Sequence, residues 1–67
     1  MNLIEGLQEE IKRVKEIIKE YEELPSDAGA FASVMMKSSI KNAENAIVNM
    51  DTVAMLSAIK DLKEYDI

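Results

Sequence analysis

The side chains with potential for chemistry are few in kind. The chain of 67 residues holds no His and no Cys. That removes the commonest general base, the usual zinc ligands and every disulfide. Ser38-Ser39 has no His partner and no obvious Lys dyad to activate a hydroxyl. Nucleophilic catalysis needs such a base within hydrogen-bond reach. Carboxylates are plentiful, but acid–base work by a carboxylate pair needs a concave, partly desolvated site. A chain of this length offers little room for one. The expectation is a non-enzymatic protein with no cofactor and no metal.

Binding chemistry remains. Folding the chain back at a turn near Ser26 places Lys15 opposite Lys37 and Lys12 near Lys41, with Lys19 continuing the row. Such a strip would hold an anion or a nucleotide. The alternative is a solvated face neutralised by Glu9, Glu16 and Glu44, where ion pairing is worth little. The carboxylates offer a second candidate. Glu20, Glu22 and Glu23, with Glu9, Glu10, Asp61, Glu64 and Asp66, would mimic nucleic-acid phosphates to a basic partner, or would simply be solvated. The run Ser26-Asp27-Ala28-Gly29-Ala30 opens a helix, and free N–H groups at a helix start bind anions. No GxxxxGK[ST] or GxGxxG accompanies it, and Asp27 would repel an anion, so the run reads as a cap. Met35, Met36, Met50 and Met55 read as core filler or as an adaptable binding surface.

Helices must position these side chains. Forty-eight per cent of residues are apolar, three are aromatic (Tyr21, Phe31, Tyr65), and two glycines and one proline leave little for the turns of an all-β fold. The expected fold class is all-α, an antiparallel helical hairpin with a shorter third helix, as one domain over residues 1–67. The first helix spans about 2–24. Ile4, Leu7, Ile11, Val14, Ile18 and Tyr21 make its apolar stripe, widened by Leu3, Ile17 and Leu24. Asn2 is its N-cap, with Glu5 three residues on, and Glu9 stands four before Arg13. Pro25 breaks the helix, and Ser26 or Asp27 caps the next.

The second helix spans about 28–49. Met36, Ile40, Ala43, Ile47 and Met50 form one stripe, and Ala32, Ser39, Ala43 and Ala46 a small-residue row beside it. Few charges and small side chains mark it as the central helix. Asp51 caps a third helix over about 52–65, with Val53, Met55, Leu56, Ile59 and Leu62 inward. At about 1.5 Å per residue the first two helices are about 33 Å long and the third about 20 Å. The short helix cannot cover the whole hairpin. Tyr21, Leu24, Phe31, Val34 and Met35 are left uncovered near the first turn. An exposed apolar patch of that kind usually marks an interface, and a domain this small gains from association. A symmetric homo-oligomer built through that patch is expected.

Thirteen acidic and eight basic residues give a net charge of −5, with the excess in the outer segments and none over 25–50. This disfavours generic duplex DNA binding and favours docking on a basic protein surface. The longest uncharged stretch, Ala28 to Met36, is too short to span a bilayer. The opening Met1-Asn2-Leu3-Ile4-Glu5 lacks the basic start of a signal peptide. A cytoplasmic protein without a membrane partner is expected.

Three stretches also resemble small helical proteins of phages and mobile elements. They are Gly29-Ala30-Phe31-Ala32-Ser33-Val34-Met35-Met36, Ala43-Glu44-Asn45-Ala46-Ile47 and Asp51-Thr52-Val53-Ala54-Met55-Leu56. The likeness covers roughly residues 21–62. Proteins of that layout include inhibitors and nucleotide sponges that blunt bacterial immunity. The resemblance therefore implies a protein-binding accessory protein, a stoichiometric inhibitor of a host defence factor. A sponge for a small anionic ligand such as a signalling nucleotide, or a structural assembly subunit, are the alternatives.

Overall fold

A computed structural model of the chain describes residues 2–25 and 27–66. It is a bundle of three helices, α1 (Leu3–Glu22), α2 (Asp27–Val48) and α3 (Thr52–Lys63). Each packs on the other two, in a body of 37 × 19 × 16 Å. No strand occurs among the described residues. No helix among them is long and apolar enough to cross a membrane.

The ends of α1 follow local chemistry. The Asn2 side-chain oxygen accepts from the Glu5 backbone N–H at 2.8 Å, supplying one of the bonds a helix start lacks. The helix stops at Glu22, before the expected Leu24. Its last turn tightens instead, with the Glu23 and Leu24 amides reaching the Glu20 and Tyr21 carbonyls at 3.3 and 3.2 Å. Pro25 disfavours helical backbone at Leu24 and forces this end. The expected Ser26 cap lies outside the described residues. Asp27 is not a flanking cap but lies in the first turn of α2, where its charge suits the positive end of the helix dipole. Two residues on, a Cβ at Gly29 would overlap the Tyr21 carbonyl oxygen. Only glycine lets α2 begin so close to the end of α1.

The core forms where the three stripes meet. Leu7, Val14, Met36, Ala43 and Leu62 are wholly or almost wholly buried, with Ile11, Ile17, Ile18, Ile40, Ala46, Met55 and Ala58 around them. Ala43 and Ala46 lie on the expected small-residue row of α2, and Ser39 is buried with them. Small side chains there let neighbouring helices come close. Of Met35, Met36, Met50 and Met55, Met36 and Met55 are core and Met35 and Met50 are exposed.

Met50 corrects the expected α2 stripe. It is 75% exposed and sits past the helix end with φ 52°. The Asp51 amide bonds back to Ala46 and the Met50 amide to Ile47, both at 3.0 Å. This is a Schellman ending, in which the left-handed position usually holds glycine. Asp51 then caps α3 as expected, its carboxylate accepting from the Ala54 amide at 3.1 Å.

Helix α3 has 12 residues, about 18 Å. Met55, Ala58 and Leu62 face inward, with Ala54 and Ile59 at the margins. Val53 and Leu56, expected inward, are exposed. A short helix lying in one groove buries a single narrow stripe, and these two point away from it. It ends at Lys63 rather than 65, held by Arg13 of α1. That guanidinium donates to the Leu62 and Tyr65 carbonyls, both at 2.8 Å. It pairs with Glu10 at 3.0 Å, not with Glu9, because reaching the α3 end turns it to the other neighbour. The Tyr65 hydroxyl lies 2.9 Å from Ser39 Oγ on α2. One residue past α3 thereby ties all three helices.

Two substitutions test this packing. Ala43→Leu adds bulk at a site with no free surface and should cost about 1–3 kcal/mol. Met50→Gly relieves the left-handed backbone and should stabilise by up to about 1 kcal/mol. In a domain of this size each 1 kcal/mol moves the melting temperature by about 4–8 °C. Thermal melts should therefore move in opposite directions. A parent-like melt for Ala43→Leu would show that Ala43 is not in a packing seam.

Candidate functional site

Three surfaces stand out. The first is apolar and lies at the first turn. The tail after α3 reaches Ser39 and the Met35 carbonyl of α2 through the Tyr65 hydroxyl, at 2.9 and 3.5 Å. Phe31 and Val34 are 69% and 66% exposed, with Leu24 and Met35 about half exposed. Tyr21, expected in the same patch, instead packs partly buried against the core, because it continues the inward stripe of α1. Leu24 and Val34 border a shallow depression of about 310 Å³ with Ala30, Ser33, Glu22 and Lys37. A second set of exposed apolar side chains lies around the other turn: Val48, Met50, Val53 and Leu56. Sequence periodicity put Met50, Val53 and Leu56 in the core and so missed it.

The second surface is the lysine row. Lys15, Lys19 and Lys37 do line one groove, of about 420 Å³, floored by Ile18 and Ile40. Lys12 stands elsewhere, beside Glu5, Gln8 and Glu9, and Lys41 is exposed on α2 outside the groove. Two carboxylates share the groove. Glu44 lies 3.6 Å from Lys15, and Glu22 lies 2.7 Å from Lys37. Lys15 thus meets Glu44, seven residues beyond the Lys37 expected opposite it. Long side chains lean toward the N-terminus of their own helix. In antiparallel helices they lean past one another, so the heads that meet belong to positions about two turns apart in the simple register.

Glu22 therefore is not a free docking carboxylate. It also accepts from the buried Ser33 hydroxyl at 3.3 Å. The third surface is what remains of the acidic face. Glu5, Glu9, Glu16, Glu20 and Glu23 are all exposed. At 100° per residue they fall within about 60° of one another on α1. None of the five joins an ion pair with another described residue. The stripe is about 27 Å long. Glu20 and Glu23 belong to it. Glu5 and Glu16 complete it, and helical projection of the sequence would have found them.

No cluster of three His, Cys, Asp or Glu suited to a metal ion occurs among the described residues. Ser38 is exposed, and Ser39 is buried against Tyr65. In comparisons with known proteins, no family model, no curated protein and no solved structure matches this chain. The surfaces must be read from their own chemistry.

The Glu22–Lys37 contact has a pH signature. Hydrogen bonding from Lys37, then its charge, holds the Glu22 carboxyl below its ordinary value; partial desolvation opposes them, and Ser33 adds a further lowering. A depressed folded value means the contact stabilises above the unfolded carboxylate range. That contribution is lost as pH falls through the folded value. Glu22→Gln should therefore melt below the parent at neutral pH and converge with it in acid. Melting curves across that range check this, and a gap that widens in acid would contradict it.

Proposed function

We propose that this chain is a non-enzymatic, self-associating protein-binding module. It acts as a stoichiometric inhibitor, laying the acidic face of α1 on a basic, nucleic-acid-binding surface of another protein. The resemblance to small phage and mobile-element proteins supplies the context, a cytoplasmic host defence factor as target. The observation that carries the reading is the row of five exposed carboxylates, Glu5, Glu9, Glu16, Glu20 and Glu23, with no ion pair to another described residue. Five carboxylates bordered by only Lys12 and Lys19 leave an excess of negative charge along one face, which raises electrostatic attraction for a basic partner and speeds encounter with it. It also makes binding weaken with salt.

The lysine groove supports the anion-sponge alternative less well. Two of its three lysines already have carboxylate partners. An incoming anion would have to displace or accept Glu22 and Glu44 beside it.

Charge reversal separates the two. Cross-linking from bacterial extract with the parent and with Glu16→Lys/Glu20→Lys/Glu23→Lys tests the acidic face. Captured partners should be nucleic-acid-binding proteins, lost with the triple variant and with added salt, and released from DNA by the parent. Calorimetry with a cyclic dinucleotide tests the groove. Binding heat abolished by Lys15→Glu/Lys37→Glu, with capture indifferent to the acidic variant, would replace this reading with the sponge.

A further inference from the structure

The outer face of α2 carries a repeat not used by the core. Asp27, Phe31, Val34, Ser38, Lys41, Asn45 and Val48 recur at alternating steps of four and three and are all exposed. This is the spacing of a coiled-coil seam. The buried residues Ser33, Met36, Ile40 and Ala43 lie on the opposite side. Within the seam only Asp27 and Lys41 are charged, in a chain whose charged fraction is 31%. Neither makes an ion pair with another described residue.

The order of these groups says what fits the face. Asp27 and Lys41 each stand seven residues, about 10 Å, from Val34. Turn the helix end for end about Val34, and the acid falls where the base was. Phe31 and Ser38 exchange in the same way about that centre, to within one position. A second copy laid antiparallel across the first would set each Asp27 at the level of the other copy's Lys41. A parallel arrangement would set Asp27 against Asp27 and Lys41 against Lys41, which like charge disfavours. Residues 25–50 also carry no net charge, whereas the whole chain carries −5. Two acidic copies repel least along this helix.

We infer that the outer face of α2 binds a second copy of this chain, antiparallel about a two-fold axis near Val34, with Phe31 and Val34 at the centre and reciprocal Asp27–Lys41 pairs at the ends. The inference rests on the self-association in the reading above and gives it a surface and a direction. The contact is isologous, each copy contributing the same patch. Leu24 and Met35 border its centre.

Sedimentation equilibrium at micromolar concentrations reads the outcome directly. The parent should be a dimer. Val34→Glu should be a monomer with an unchanged helical spectrum, since Val34 is 66% exposed and lies opposite the buried stripe of α2. Lys41→Asp places like charges at both ends and should weaken the dimer by about tenfold or more. Adding Asp27→Lys to Lys41→Asp restores opposite charges only if the copies run antiparallel. That double variant should recover the parent's dissociation constant to within about threefold. A monomeric parent, a dimer that survives Val34→Glu, or a double variant no tighter than Lys41→Asp would each overturn the inference. Capture of a basic partner through α1 is scored separately with Glu16→Lys/Glu20→Lys/Glu23→Lys. Loss of either property with the other intact shows which statement has failed.

Discussion

A helix of 12 residues must hold together a hairpin whose arms have 20 and 22. Helices as short as α3 are marginal alone in water. It is kept by burial of Met55, Ala58 and Leu62 and by the Arg13 guanidinium on its last carbonyls. A cation at a helix C-terminus opposes the negative end of the dipole and satisfies carbonyls that have no partner within the helix. The position of Arg13 on α1 thus decides how far α3 reaches along the hairpin. Tyr65 marks the limit, its hydroxyl 2.9 Å from Ser39 Oγ and donating to the Met35 carbonyl at 3.5 Å. Phe31 and Val34 are exposed for a different reason: they lie on the outer face of α2, opposite Met36, Ile40 and Ala43, as Val48 does at the other end.

The same layout sorts the charges. Helix α2 is approached from two sides, so its inward positions must be small or apolar, as Ala43 and Ala46 are. Of its charged residues, Lys37 and Glu44 lie at one edge, where they meet Glu22 and Lys15 of α1. Pairs this exposed contribute little to stability. They matter more for what they leave behind. Neutralisation along the α1–α2 edge uses Lys15 and Lys37, leaving only Lys12 and Lys19 near the outer carboxylates of α1. The acidic excess collects on the far side of α1.

Much of this was legible beforehand. Helical periodicity located α1, α2 and α3 because their apolar stripes run over several turns, and side-chain caps located the starts of α1 and α3 at Asn2 and Asp51. Helix length led to an expected apolar patch at the first turn, but Phe31 and Val34 are exposed because they face away from the core, and Tyr21 is partly buried. Features that depend on where two chains approach were not legible. Nothing local distinguishes Gly29 as a contact with the Tyr21 carbonyl from Gly29 as part of a cap. Arg13 has an attractive carboxylate four residues before it, yet its partners lie on α3 and at Glu10. Met50 fits the apolar stripe by number, but the α2 helix has already ended and the backbone has turned left-handed there. The lysine row failed for a similar reason: spacing places Cα atoms, whereas ion pairs depend on the direction side chains lean.

The two proposed surfaces are compatible because they lie on different helices and face away from the shared core. The α1 carboxylates project opposite Leu7, Ile11, Val14 and Ile18, and the α2 seam projects opposite Met36, Ile40 and Ala43. Pairing through α2 would use a different helix from the acidic stripes. A two-fold dimer would therefore present two of them, related by the axis near Val34. A partner with one basic patch would use one stripe. A partner with two basic patches, or with an extended nucleic-acid groove, would engage both, and the second contact would form at the effective concentration set by the first. On the proposed reading self-association and inhibition would be linked: disrupting the α2 seam would lower affinity for such a partner without altering any residue proposed to touch it.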